Sequence, residues 1–120
     1  MKVAIEIFGL SGALLLIASG CAGATVPVAR MSSAQAAVRA AVEVGADRNA
    51  RASRHLRLAR EQLGLARSLA RDGEEERATS MLRRAQMDAE LALAITRQAE
   101  ADERAANAAS RARAVRAGAI

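Results

Sequence analysis

Past residue 8 the chain carries no aromatic side chain: Phe8 is its only one, and it has neither Trp nor Tyr. Aromatics supply much of the buried area of ordinary globular cores. A core made from this sequence must therefore be packed with Ala, Leu and a few Val, Ile and Met. Strong helix formers (Ala, Leu, Arg, Glu, Gln, Met) fill the chain, and β-branched residues are scarce after Val44. These features predict an all-α fold, either an antiparallel helical hairpin or a small three-helix, coiled-coil-like bundle. With 120 residues there is room for one small domain.

The formal net charge is +5, and Lys2 is the only lysine, so the excess is carried by Arg. The arginines are dispersed among Asp and Glu along the chain rather than gathered into a block, the pattern of a solvated helix surface. The lack of aromatics also removes the stacking platform of single-strand sites. Nucleic acid is not an expected partner.

The first thirty residues follow a different rule. Lys2 lies beside the amino terminus, and Ile7–Ile17 (IFGLSGALLLI) is an apolar run of the length of a signal-peptide core. Ala18-Ser19-Gly20 and then Cys21 follow, which resembles the lipobox of bacterial lipoproteins, with Ala18 where that family most often has Leu. The resemblance implies cleavage between Gly20 and Cys21 and a diacylglycerol on the Cys21 thiol. The new amine would then be acylated, so palmitate is the expected label. Each buried methylene of such a chain contributes about 0.8 kcal/mol, and two or more chains hold firmly. Residue 22 is Ala rather than Asp, which by analogy with Gram-negative lipoproteins implies the outer membrane, facing the periplasm. Two other readings remain open: a plain thiol at Cys21, or retention of the uncharged Ile7–Ala29 stretch as a spanning helix.

From Met31 the spacing turns helical. Ser32 and Ser33 are expected N-caps. Ala34, Ala37, Val38, Ala41 and Val42 share a face, and Gly45 offers a stop. A second helix is expected over about Asp47–Arg71, with a four-three seam through Ala52, Leu56, Ala59, Leu63, Ala66 and Ala70, widened by Leu58, Leu65 and Leu69. Asp47 and Arg51 stand at i,i+4. Asp72-Gly73 is the expected turn, and Glu74–Glu76 suits the positive end of the next helix dipole. The third helix is expected from near Glu74 past residue 110, with Ala78, Leu82, Ala85, Ala89, Ala92 and Ala99 on its seam and Met81, Leu91 and Ile95 beside it. A hairpin so rich in Ala buries little area, so the first helix or a partner chain is needed to cover its open face.

The stretch His55–Ala101 resembles the DUF4398 family of bacterial envelope proteins. Its members share L-x-x-A-R-x-x-L-x-x-A-R, an acidic turn, and R-x-x-A-x-x-A-x-x-D-A-x-L-A. Here the turn reads Asp72-Gly73-Glu74-Glu75-Glu76-Arg77-Ala78, and the second half matches at Arg84-Ala85, Asp88-Ala89 and Leu91-Ala92; the tyrosine common after the turn is missing. The resemblance implies a short helical lipoprotein and supplies no activity. Some members carry an OmpA-like, peptidoglycan-binding domain after the helices; none is expected here, the sequence closing at Ile120.

The resulting organisation is a signal peptide over 1–20, a lipidated tether over 21–30, a helical domain over 31–103 and a basic Ala/Arg-rich tail over 104–120. That tail holds Arg111, Arg113 and Arg116 and is expected to fray. No catalytic constellation emerges. His55, the only histidine, is expected to be exposed and cannot build a zinc set with one cysteine. Asp88, Glu90, Glu100, Asp102 and Glu103 suggest no shaped pocket, and Ser53, Ser68, Ser80 and Ser110 lie in helical patterns without a nucleophile elbow. Neither a metal nor a cofactor is expected. The expected function is a non-catalytic, membrane-anchored helical interaction or structural module, with an envelope protein, peptidoglycan or a second copy as partner. The alternative is an anchored basic helical protein binding an anionic polymer such as cell wall, lipid headgroups or nucleic acid.

Overall fold

A computed structural model of the chain describes Val26 and residues 28–118. It has three helices, α1 (Val28–Glu43), α2 (Ala50–Arg71) and α3 (Glu75–Arg116), with a short 3-10 turn, Ala46–Arg48, between the first two. The all-α expectation holds, in its three-helix form. The amino-terminal readings through residue 25, including Gly20 and Cys21, lie outside the described residues.

The first helix starts earlier than its spacing suggests. Residues 28–30, expected to belong to a tether, are already helical, and Ser32 and Ser33 lie inside α1 rather than capping it. The Ser33 hydroxyl donates to the Ala29 carbonyl at 2.9 Å. A serine that bonds back one turn continues a helix instead of opening it. The chain leaves α1 through Gly45 and a 3-10 turn that holds Asp47. Asn49 then caps α2: its Oδ1 accepts from the backbone N–H groups of Arg51 and Ala52, each at 3.0 Å. This cap moves the start of α2 from Asp47 to Ala50, and it takes Asp47 off the helix that carries Arg51.

The turn between α2 and α3 falls at the expected residues. Gly73 has φ 77°, a conformation that an L side chain resists. Its N–H donates to the Ala70 carbonyl at 3.3 Å, and the Glu74 N–H donates to the Leu69 carbonyl at 2.8 Å. These are the two bonds of a Schellman motif, and they satisfy carbonyls that the end of α2 would otherwise leave unpaired. Arg71 in the last turn of α2 and Glu75 and Glu76 in the first turn of α3 carry the signs that the helix dipoles favour.

The turn folds α2 and α3 into an antiparallel pair, and α1 lies along it, packed more on α3 than on α2. Near the turn, Ala34 meets Leu63, Ala66, Leu82 and Ala85. At the other end, Ala41 meets Ala52, Leu56 and Ala92. α1 therefore runs parallel to α3 and against α2, and its amino-terminal end sits beside the turn at Gly73. Of the fourteen buried apolar residues among those described, ten are Ala and four are Leu; Leu56 and Leu82 are the largest that are fully enclosed. The Ala positions let the helix axes approach closely, so close-range dispersion is gained in place of large buried area.

The buried set on α3 ends at Thr96, whose hydroxyl donates to its own helix at the Ala92 carbonyl, 2.9 Å away. The helix continues for another 20 residues, Arg97–Arg116, none of them buried. At 1.5 Å per residue this forms an arm of roughly 30 Å beyond the bundle. The tail expected to fray is thus helical to Arg116, and Ala99, expected on the seam, is exposed. The arm closes on Gly118 at φ 69°, whose N–H donates to the Val115 carbonyl at 3.1 Å.

Candidate functional site

The side-chain cluster with the most chemistry spans the hairpin. His55 on α2 donates from Nδ1 to Asp88 Oδ1 on α3 at 3.0 Å, and Gln62 Nε2 donates to Asp88 Oδ2 at 2.9 Å. A carboxylate oxygen accepts from a ring N–H, so the bond is made by a ring that carries a hydrogen on Nδ1. His55 is not the exposed residue its isolation suggests: its side chain is 28% exposed and that of Asp88 22%. The two side chains are brought together by hairpin register. Residue type alone hides the pair, because 33 positions separate them. The signal that could have found it is distance from the turn. His55 stands eighteen residues before Gly73 and Asp88 fifteen after it, and so nearly level.

The cluster faces away from α1. Gln86 lies in one groove with Ala29, Arg30 and Ser33 of α1, and Asp88, two residues on, is about 200° further round α3. Beside Asp88 is a shallow open groove bordered by Gln62, Arg84, Met87, Glu90 and Leu91. Gln62 Oε1 is enclosed there without a hydrogen-bond partner. A His–Asp pair orients an imidazole, but proton transfer on a substrate also needs a reacting group held within reach. Ser53, Ser68, Ser80 and Ser110 contribute none to this cluster, and Ser53, the nearest in sequence, donates to the Ala50 carbonyl of its own helix. The arrangement locks two helices in register.

Of the expected site residues, Asp72 and Gly73 form the turn that sets this register. The carboxylates do not converge. Glu100 accepts from Arg104 at 3.0 Å, Asp102 accepts from Gln98 at 2.8 Å and Glu90 accepts from Gln86 at 2.8 Å, each within one helix. Among the described residues no group of three or more His, Cys, Asp or Glu is placed to hold a metal ion. No helix among them is long and apolar enough to cross a membrane. Arg111, Arg113 and Arg116 project from the arm; among the described residues they form no ion pair, and Arg113 Nε donates to the Ala109 carbonyl at 3.3 Å.

Fold and site together define a small helical bundle with a projecting helical arm and a hydrogen-bonded register lock. The chain belongs to the DUF4398 family, a domain of unknown function, whose model matches residues 29–108. The match takes in α1 and the first part of the arm as well as the hairpin. Comparison with curated proteins and with solved structures found no match.

Proposed function

We propose that this protein is a non-catalytic lipoprotein of the cell envelope, a membrane-anchored helical module that presents its surface to an envelope partner. The observation that carries the reading is Ala18-Ser19-Gly20-Cys21 after the apolar run Ile7–Ile17. The fold supports it in one respect. The amino-terminal end of α1, at Val28, lies beside the Gly73 turn, while the α3 arm leaves from the opposite end of the bundle. An anchor at Cys21 therefore holds the bundle by one end, with the arm at the other. Ala22 after the cysteine favours the outer membrane, with the protein facing the periplasm. Peptidoglycan or an envelope protein is the partner that this location offers. Metabolic labelling with palmitate tests the anchor: the wild-type chain takes up label and Cys21→Ser takes up none. Equal labelling of both would refute it.

A second reading has its own observation. Beyond Glu103 every charged residue of the arm is Arg: Arg104, Arg111, Arg113 and Arg116. Such an end suits an anionic polymer such as cell wall, lipid headgroups or nucleic acid. Binding of that kind weakens steeply as salt rises, whereas salt-independent retention by a protein partner counts against it.

A further inference from the structure

α3 carries a second seam that its own bundle does not use. Starting at Met87 and stepping by four and three, it passes through Leu91 and Ala101 to Ala112 and Val115, and Gln98 is its only polar member. Every position on it is exposed. Met87 is 68% exposed, Leu91 44% and Val115 65%, so three of the six large exposed apolar side chains among the described residues lie on this one line. The seam is rotated well over 90° from the buried one, and it runs for about 42 Å, from the back of the bundle to the end of the arm. A four-three repeat sustained over four heptads is the pattern of a helix seated on another helix. Single exposed apolar residues need no such account, but Met87 and Leu91 adjoin on one face and five of the nine positions of the line are Ala, small enough to seat them.

We infer that this seam is the contact between two copies of the chain, with their α3 helices antiparallel and Leu91 of one copy opposite Ala108 of the second. The seam is self-complementary about its middle, which selects a second copy running antiparallel. In this register Met87 lies opposite Ala112, Leu91 opposite Ala108 and Gln98 opposite Ala101, so each of these three meets an Ala, while Val115 at the end of the seam lies opposite Arg84. A parallel pair in register would set Met87, Leu91, Gln98 and Val115 each against itself and Ala against Ala between them, which spaces the helices unevenly. Such a pair would bring Arg97 to Asp102 of the second copy but Arg111 to Arg116, where no acid follows Glu103 to relieve them. The antiparallel pair carries Arg111 to Glu90 of the second copy, on the edge of the seam, with Asp88 close by. Across the same edge at the centre Arg97 faces Arg104 of the second copy, a repulsion offset by Glu100, which engages Arg104 within its own helix. Each arm then lies along the back of the other copy's bundle, on the face that α1 leaves open. The inference does not depend on lipidation of Cys21.

Full-length chain in detergent micelles provides the test. Leu91→Cys and Ala108→Cys chains of distinguishable mass are mixed and oxidised, and the unsubstituted chain, with Cys21 as its only thiol, sets the background. The expected product is a mixed Leu91→Cys/Ala108→Cys disulfide. A Leu91→Cys homodimer above background, or no disulfide above background, overturns the pairing. In sedimentation, Arg111→Glu is expected to weaken the dimer about tenfold through two symmetric contacts, and adding Glu90→Arg to the same chain restores it. A dimer indifferent to both changes, or a chain that stays monomeric at every concentration, overturns the inference as well.

Discussion

Glu75–Thr96 and Arg97–Arg116 are consecutive stretches of one helix, both rich in Ala and Arg, but Met81, Leu82, Met87, Leu91, Leu93 and Ile95 fall in the first and only Val115 in the second. The first stretch buries six residues against α1 and α2; the second buries none. The packed stretch is held by tertiary contact, with Leu82 fully enclosed between α1 and α2. Within one copy the arm is held by local terms alone. Eight of its twenty residues are Ala, the best helix former. Its Gln98–Asp102 and Glu100–Arg104 pairs each add a few tenths of a kcal/mol, and its nucleus already exists in the bundle, so no initiation cost falls on it. Helicity in this chain is cheap, while position is set by a few larger side chains.

That contrast can be broken at the packed end. Leu82→Ala is expected to cost about 3 kcal/mol of unfolding free energy, because α1, α2 and α3 all meet around it and cannot collapse onto the void. Urea unfolding followed by circular dichroism measures it. Asp88→Ala strands both His55 and Gln62 and is expected to cost about 1.5 kcal/mol in the same experiment. Gly73→Ala meets no neighbour, since a Cβ there has nothing within 4 Å. Its cost is the left-handed backbone alone, about 1 kcal/mol. The smallest effect sharpens the comparison from the other side. Ala105→Gly with Ala109→Gly should lower the helical signal yet leave global stability within about 0.5 kcal/mol. The measurement is made dilute enough to keep the chain monomeric. A large shift in the unfolding midpoint would mean that the arm packs on the bundle after all.

The four-three spacing of Ala52, Leu56, Ala59 and Leu63 made the buried face of α2 legible, because a helix with one covered side writes its period into the sequence. Gly73 made the turn legible for a similarly local reason. The errors share another origin. Ser32 and Ser33 look like caps to any rule confined to residue type, but the helix formers before them carry α1 back to Val28. The exposure of Ala99 and the helicity of the arm depend on where α2 stops covering α3, a matter of three-dimensional overlap. His55 and Asp88 become a pair only once the turn fixes which positions are level. Local chemistry was visible in the sequence; what lies opposite what was not.

The core described above has ten Ala among its fourteen buried apolar positions, and this sets the direction in which the sequence can drift. At a Leu or Phe core position most random replacements remove atoms, and the surroundings relax partly into the gap. At an Ala position every replacement except Gly adds atoms where the helices already touch, and overfilling a tight core costs about 1–3 kcal/mol each time. Only Leu56, Leu63, Leu69 and Leu82 offer the usual route of loss by truncation. Such a fold is sensitive to inserted bulk and indifferent to much of the arginine-rich exterior. A mutational scan should therefore read as a periodic row of sites closed to enlargement, with permissive ground between them.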